Sequence, residues 1–251
     1  MVEARLLNAS LRPREETMRL FQLAYICRVY GGLTGFDKDY QTFLDKTAGR
    51  LDFRDPVHMD ALLTWLRKWG CRQFAKNYHN LASESILGWA DLWESSLPDA
   101  SIALASLSDQ DIQEVGQAYA RLSKCLASKR ARNGNLDDVH VGPSGAAKIL
   151  FAARPLAFPP WDDPFRAKSG YDDSGRSYCD YLVRVREQIN QLCSEAARLG
   201  IAAQDISTEV GRPKSTLAKL VDEYNWVTVT RGFLPPEPVE IAKWHHWSSP
   251  S

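Results

Sequence analysis

The residues of this chain best placed to do chemistry are two adjacent carboxylates behind a rigid run, Phe158-Pro159-Pro160-Trp161-Asp162-Asp163. The prolines fix φ and favour extended chain, so the side chain that follows is presented from a stiff strut. Pro164 suits the first position of a new helix, which makes Asp163 the natural N-cap and leaves Asp162 without a local structural duty. A carboxylate held in that way can stabilise developing positive charge or orient a water. A plainer account, in which both aspartates only cap a helix beginning Pro-Phe-Arg, uses the same residues and stays open. Upstream, Gly142-Pro143-Ser144-Gly145 reads as a tight turn opening an apolar helix, whose free backbone N–H groups suit a phosphate. Lys148 adds positive charge one turn further in.

The elements that must position these groups are helical. Apolar spacing predicts helices over Glu15 to Tyr30, ended by Gly31-Gly32, over Val57 to Trp69, over Ser83 to Ser95, over Asp109 to Ala127 with Ser108 as cap, and over Tyr178 to Leu199. Asn133-Gly134-Asn135 reads as a turn and Lys168 to Ser177 as an exposed loop, while only Trp226 to Thr230 alternates like a strand. The expected fold class is all-α. Ile206 to Leu217 has the look of a helix-turn-helix reader, with a turn at Gly211 and a second helix begun by Lys214-Ser215-Thr216. That element supports a rival function, a non-catalytic helical DNA-binding protein in which Asp162 is only a cap. A second rival is an interaction protein whose tryptophans mark a partner surface.

Composition limits the choices. With 251 residues, 44% of them hydrophobic, the chain can bury a large core. No apolar run approaches a membrane span, and Met1 to Asn8 lacks the layout of a secretory signal, so a soluble protein without a membrane partner is expected; a cytoplasmic location and a monomeric state are expected with it. The formal net charge is +0, yet Val115 to Trp161 holds seven Lys or Arg, Arg132 among them, against two acids, Asp137 and Asp138. A basic stretch leading into the Gly142 turn is what phosphate binding needs. The 5 cysteines show no C-x-x-C spacing and read as reduced thiols. His245-His246 lacks partner ligands at metal spacing, so no metal and no cofactor are expected.

Gly142, Ser144, Ala146, Ile149, Leu150, Phe158, Pro159 and Asp162 together resemble the helix-hairpin-helix DNA glycosylase superfamily, and its adenine-removing branch most closely. Trp89, Trp93, Leu97-Pro98 and Asp111-Ile112 extend the likeness upstream more weakly. The chain departs from the pattern at His140, where a glycine is usual, and at Ser144, where strand-cutting members carry a lysine. The cysteines that follow Asp162 do not make an iron–sulfur loop. The resemblance implies two helical lobes, 36–161 and 1–35 with 162–251, and an active site in the cleft between them. It implies a monofunctional glycosylase acting on double-stranded DNA, which flips out a damaged or modified base and leaves an abasic site. Hypermodified pyrimidines of phage DNA are one substrate class to consider.

Under that resemblance Asp162 is catalytic, and Lys148, one turn along the helix from Ser144, is the amine that could reach the sugar. Val141 to Gly145 and Arg132 bind DNA. Arg72 and Gln73 lie near the residue that fills the gap left by the flipped base. Trp161, Phe165 and Trp69 are candidates for the base pocket, although the same aromatic residues serve equally well as helical core.

Overall fold

The structure, a computed structural model, describes residues 18–132 and 134–248, with side chains described to residue 243. The start of the helix predicted from Glu15, residue Asn133 of the predicted turn, and the side chains of His245-His246 lie outside these limits. Among the described residues the fold is mostly helical, with one two-stranded sheet.

Helix α1 (Leu20–Leu33) runs through Gly31-Gly32 rather than ending there, because both glycines lie on its exposed last turn. Helices α2 (Phe36–Lys46) and α3 (Pro56–Lys68) pack as a pair. Asp55 starts α3 by accepting from the N–H groups of Val57 and His58, with Pro56 as the first helical residue. Helix α4 (His79–Trp93) precedes α5 (Asp109–Leu122), which opens on a reciprocal capping box between Ser108 and Asp111.

The helix expected to continue to Ala127 stops at Leu122, and a β-hairpin follows, β1 (Leu126–Arg132) and β2 (Asn135–His140). The strands pair antiparallel, with Lys129 opposite Asp138 and Arg132 opposite Asn135. The sequence concealed this hairpin because it stands out from the core. Only Ala127 and Ser128 are buried, so neither strand needs an apolar face and no period-2 signal exists.

Helix α6 (Gly142–Ala153) is buried along its length from Gly145 to Ala153 and lies at the centre, against α3 and α5. A helix apolar on every side is one surrounded by others. After Arg154 the chain turns through Pro155 to Ala157 and then runs without helix or strand to α7 (Asp163–Ser169); the segment expected to loop from Lys168 to Ser177 is helical at both ends, in α7 and from Gly175. Helix α8 (Gly175–Arg198) crosses α5, and α1 packs on both α8 and α10 (Leu217–Asn225), with short α9 (Ile206–Glu209) between. The buried side chains form one contiguous core.

Two further expectations are corrected here. Trp226–Thr230 is a π-turn continuing α10, not a strand, and its i→i−5 bond runs from the Arg231 N–H to the Trp226 carbonyl at 3.0 Å. The second helix of the supposed helix-turn-helix begins at Leu217 behind the Thr216 cap, leaving Lys214 in the loop. Seven of its nine residues are buried, so it has no face to lay in a DNA groove. The last helix, α11 (Pro238–Ser248), follows an extended stretch. Among the described residues no helix is long and apolar enough to cross a membrane.

Candidate active site

Three short pieces of chain meet around Asp162: the Gly70 to Gln73 loop after α3, the first turns of α6, and the start of α7. Between them lies a crevice of about 390 Å³. A narrow recess of about 40 Å³ adjoins it, and Trp69, Lys148 and Asp162 line both.

The α6 end of the crevice is built by backbone stitching. The Val141 N–H donates to the Cys125 carbonyl at 2.8 Å and the Gly142 N–H to the Ser123 carbonyl at 2.9 Å. The β-hairpin is therefore an excursion between two points held together, and the end of α5 meets the start of α6 directly. Two of the amides expected to receive a phosphate are spent in this way, and Pro143 has none, so a phosphate here would meet the amides of Ser144 and Gly145. Gly142 has φ +68°, the left-handed turn that lets the chain double back from the hairpin into α6. A Cβ at Gly145 would lie 3.0 Å from both the Gln73 amide nitrogen and the Val141 side chain, so the loop after α3 packs onto α6 through the missing methyl.

That contact settles the place of Gln73. Its side-chain amide donates to the Val141 carbonyl at 2.6 Å. It ties the two walls together and is not free to fill the gap left by a base. Arg72 beside it is exposed and keeps that option. Arg132 is at the far end of the hairpin, about 20 Å along β1 from the Gly142 turn at the usual strand rise. The basic stretch is likewise divided. Lys129 pairs with Asp138 at 3.3 Å, Arg154 donates to the Pro98 carbonyl at 2.6 Å, and Lys148 is buried.

Asp162 is held differently from the expectation. It is Asp162, not Asp163, that caps α7, its carboxylate accepting from the Phe165 N–H at 3.0 Å. Pro164 sits at the second helical position, one residue later than predicted, and Asp163 is left exposed and paired with Arg166 at 3.0 Å. The cap fixes one oxygen and orients the other, so a structural duty and a chemical one are compatible in this residue. Burial holds the Asp162 pKa above the ordinary carboxylate value, and the Phe165 N–H, Lys148, Arg166 and the Trp226 side chain offset only part of that rise.

Arg166 is the residue the sequence did not single out. It is 4% exposed, spans Asp163 and Asp173, and donates to the Ser144 hydroxyl at 3.0 Å. Its guanidinium lies 5.2 Å from the Trp161 ring centroid. It locks the start of α7 to the first turn of α6, and with them Asp162 to the helix carrying Lys148. The Lys148 ammonium donates to the Trp69 carbonyl at 2.5 Å and lies 5.8 Å from the Trp69 ring centroid. The ammonium also meets the Cys71 side chain, which leaves one of its three donors.

The predicted aromatic residues part company. Trp69 lines crevice and recess. Trp161 and Phe165 line neither and are core: Trp161 is 0% exposed and stacks on Tyr181 at 5.3 Å, and Phe165 packs against Tyr171 and Tyr181. The recess instead takes Tyr30 from α1, Phe36 from α2 and Trp226 from the π-turn, together with a second carboxylate, Asp222. The Tyr30 and Trp226 rings meet edge to face at 5.7 Å. Comparison of the chain with protein-family models, with curated proteins and with solved structures gives no match.

Proposed function

We propose that the chain is a DNA glycosylase that hydrolyses the bond between an extruded base and its sugar, with Asp162 as the catalytic carboxylate. The observation that carries this reading is the position of Asp162 on the wall shared by an open crevice and an aromatic-lined recess. Breaking an N-glycosidic bond puts positive charge on the sugar, and a desolvated carboxylate beside the anomeric carbon stabilises that charge and can take a proton from water. A base must leave the duplex to react, and planar aromatic walls are what receive it. The crevice then holds the sugar, and the recess the base. The Ser144 and Gly145 amides at the start of α6 face the neighbouring phosphate.

The residues also support hydrolysis rather than strand cutting as the first reaction. At position 144 a hydroxyl bonded to Arg166 offers no amine, and the Lys148 ammonium is tied to the Trp69 carbonyl. As a cation, Lys148 favours the ionised form of Asp162. The direct join of α5 to α6 at Ser123 and Gly142 supports a helix-hairpin-helix-like clamp on the backbone, with the β-hairpin inserted into it. Two helical lobes about the crevice, and a monomeric enzyme, belong to the same proposal.

The test is base release from a panel of duplexes carrying uracil, oxidised or alkylated purines and adenine mismatches, together with phage genomes of substituted cytosine. Wild type and Asp162→Asn are compared before and after alkali. Breaks that need alkali and vanish in Asp162→Asn are expected. Breaks without alkali, trapped as a borohydride adduct and lost in Lys148→Ala, would assign strand cutting to the lysine. Binding to DNA with no base released from any of them would overturn the reading in favour of a non-catalytic DNA-binding protein.

A further inference from the structure

The inner wall of the recess holds a carboxylate that the mechanism above does not use. Asp222 lies in the last turn of α10, immediately before the π-turn that carries Trp226, and lines the recess with Asp162 and Lys148. We propose that Asp222 is the proton donor of this site, presenting a carboxylic acid to the edge of the extruded base while Asp162 faces the sugar. The inference rests on the glycosylase reading and deepens it.

The recess supplies a plane and an edge. Tyr30, Phe36, Trp69 and Trp226 give it aromatic walls, and the charged groups lining it among the described residues are Asp162, Asp222 and Lys148. A ring between those walls has its edge where the polar groups are. At about 40 Å³ the recess as it stands holds a few waters at most, so a ring enters by parting the walls. Trp226 opens the π-turn, irregular helix of a kind found frequently at functional sites.

Charge decides which acid keeps its proton. Asp222 is faced by Asp162 from α7, Lys148 from α6, Tyr30 from α1, Tyr181 from α8, and Lys219 and Glu223 on its own helix. Lys219 does not pair with it, since its ion pairs go to Asp37 at 3.1 Å and to Glu223 at 2.5 Å. Two acids therefore share one lining cation, Lys148, and only one of them is well served as an anion. Asp162 has the Phe165 N–H and the Trp226 side chain as donors to its charged form. Asp222 has burial and the Asp162 charge against ionisation, and its pKa stands well above the usual carboxylate range.

The step balances as a hydrolysis. The bond from the anomeric carbon to the base nitrogen breaks with its electron pair passing to the base, which takes the Asp222 proton at a ring nitrogen or a conjugated exocyclic oxygen. Water adds to the anomeric carbon and gives its proton to Asp162. Transfer of that proton to Asp222 restores both groups, and one water is consumed. A donor matters for a neutral base, whose anion leaves poorly. It is superfluous for a cationic alkylated base, which departs neutral without it. The substrate class is therefore a neutral base bearing an acceptor on the edge that enters first.

The experiment measures single-turnover release of a neutral base from duplex DNA between pH 5 and 9 by wild type and Asp222→Asn, with release of a cationic alkylated base alongside. Asparagine keeps the size and hydrogen bonds of the acid but has no proton to give. The expected result is a bell-shaped wild-type profile, and a loss of about 10²-fold or more on the neutral base in Asp222→Asn, with the alkaline fall abolished. Neutral-base release within about two-fold of wild type, on an unchanged profile, would overturn the donor role and leave Asp162 chemistry intact. Carboxyl carbon NMR of the protein without DNA gives an independent reading. An Asp222 carboxyl that ionises near the ordinary value of about 4 overturns the proposal whatever the activity. Wild type releasing no base from any DNA overturns the glycosylase reading, and the donor with it.

Discussion

Asp222 and Glu223 are neighbouring acids in α10, the first half-buried beside the recess and the second fully buried, and only the second is surrounded by cationic partners. Glu223 meets Lys219 at 2.5 Å and Arg212 at 2.8 Å, and Asp37 closes the cluster through Lys219 at 3.1 Å. Burial works against the Lys219 ammonium, but Glu223, Tyr30 and Asp37 outweigh it and hold its pKa above the ordinary lysine value. Asp222 turns instead into the recess towards another acid. A buried cluster whose charges cancel fixes how α10 sits against α1 and α2. Two acids left competing beside a cavity cost stability, the pattern expected of a functional site. The contrast separates framework from site within one turn of helix.

The largest effect expected is on chemistry. Asp162→Asn should lower base release by up to about 10⁴-fold while leaving the melting temperature little changed, because asparagine caps a helix as well as aspartate does. A large fall in melting temperature would instead return Asp162 to the role of a cap alone. Next, Lys219→Met leaves Glu223 and Asp37 with Arg212 alone. Chemical denaturation should then show a loss of about 3–5 kcal/mol, the usual result of removing one partner from a buried pair. A loss below 1 kcal/mol would show that the cluster is no framework. Smaller again is Gly145→Ala, where the added methyl must displace Gln73 or Val141 from 3.0 Å contacts. A cost of about 1–3 kcal/mol is expected, with weaker DNA binding because the crevice wall shifts. An unperturbed protein would mean that the join between the α3 loop and α6 is slack.

Much of the framework was legible in the sequence, and about half of the candidate site. Helical spacing exposed α3, α4, α5 and α8, whose apolar stripes are long enough to carry a period. Asp162 and Lys148 were legible because local chain stiffness and a helix turn are short-range properties. The identity of the cap was missed by one position, since Pro is tolerated at the second helical residue as well as the first, and local rules do not separate the two. Tyr30, Phe36, Asp222 and Trp226 were not legible, because α1, α2 and α10 reach the recess only through tertiary packing. The β-branched run Val227-Thr228-Val229-Thr230 also imitates a strand, and the packing of the π-turn against α1 and α7 overrides that propensity. The β-hairpin left no hydrophobic alternation to read.

The smallest effect is the one that tests the contrast most directly, because it has the opposite sign to ordinary mutational damage. The Asp222 carboxyl has a pKa raised above its unfolded value, so the native state holds its proton more tightly than the unfolded chain does. Below the ordinary carboxylate range both states are protonated and the group costs nothing. As pH rises through that range the unfolded chain ionises first, and stability falls until the folded group ionises in turn. Asp222→Asn removes this penalty and keeps the shape of the side chain. Its melting temperature should therefore exceed that of wild type at neutral pH, by about 2–4 °C for each kcal/mol gained in a chain of this length, and the advantage should disappear as the pH is taken below about 4. Glu223→Gln is the control across the same turn. It weakens the charge pairing with Lys219 and Arg212 and should lower the melting temperature at neutral pH. If the two variants shift in the same direction, the acids on α10 are not divided between framework and site, and Asp222 loses the one physical reason for being a proton donor.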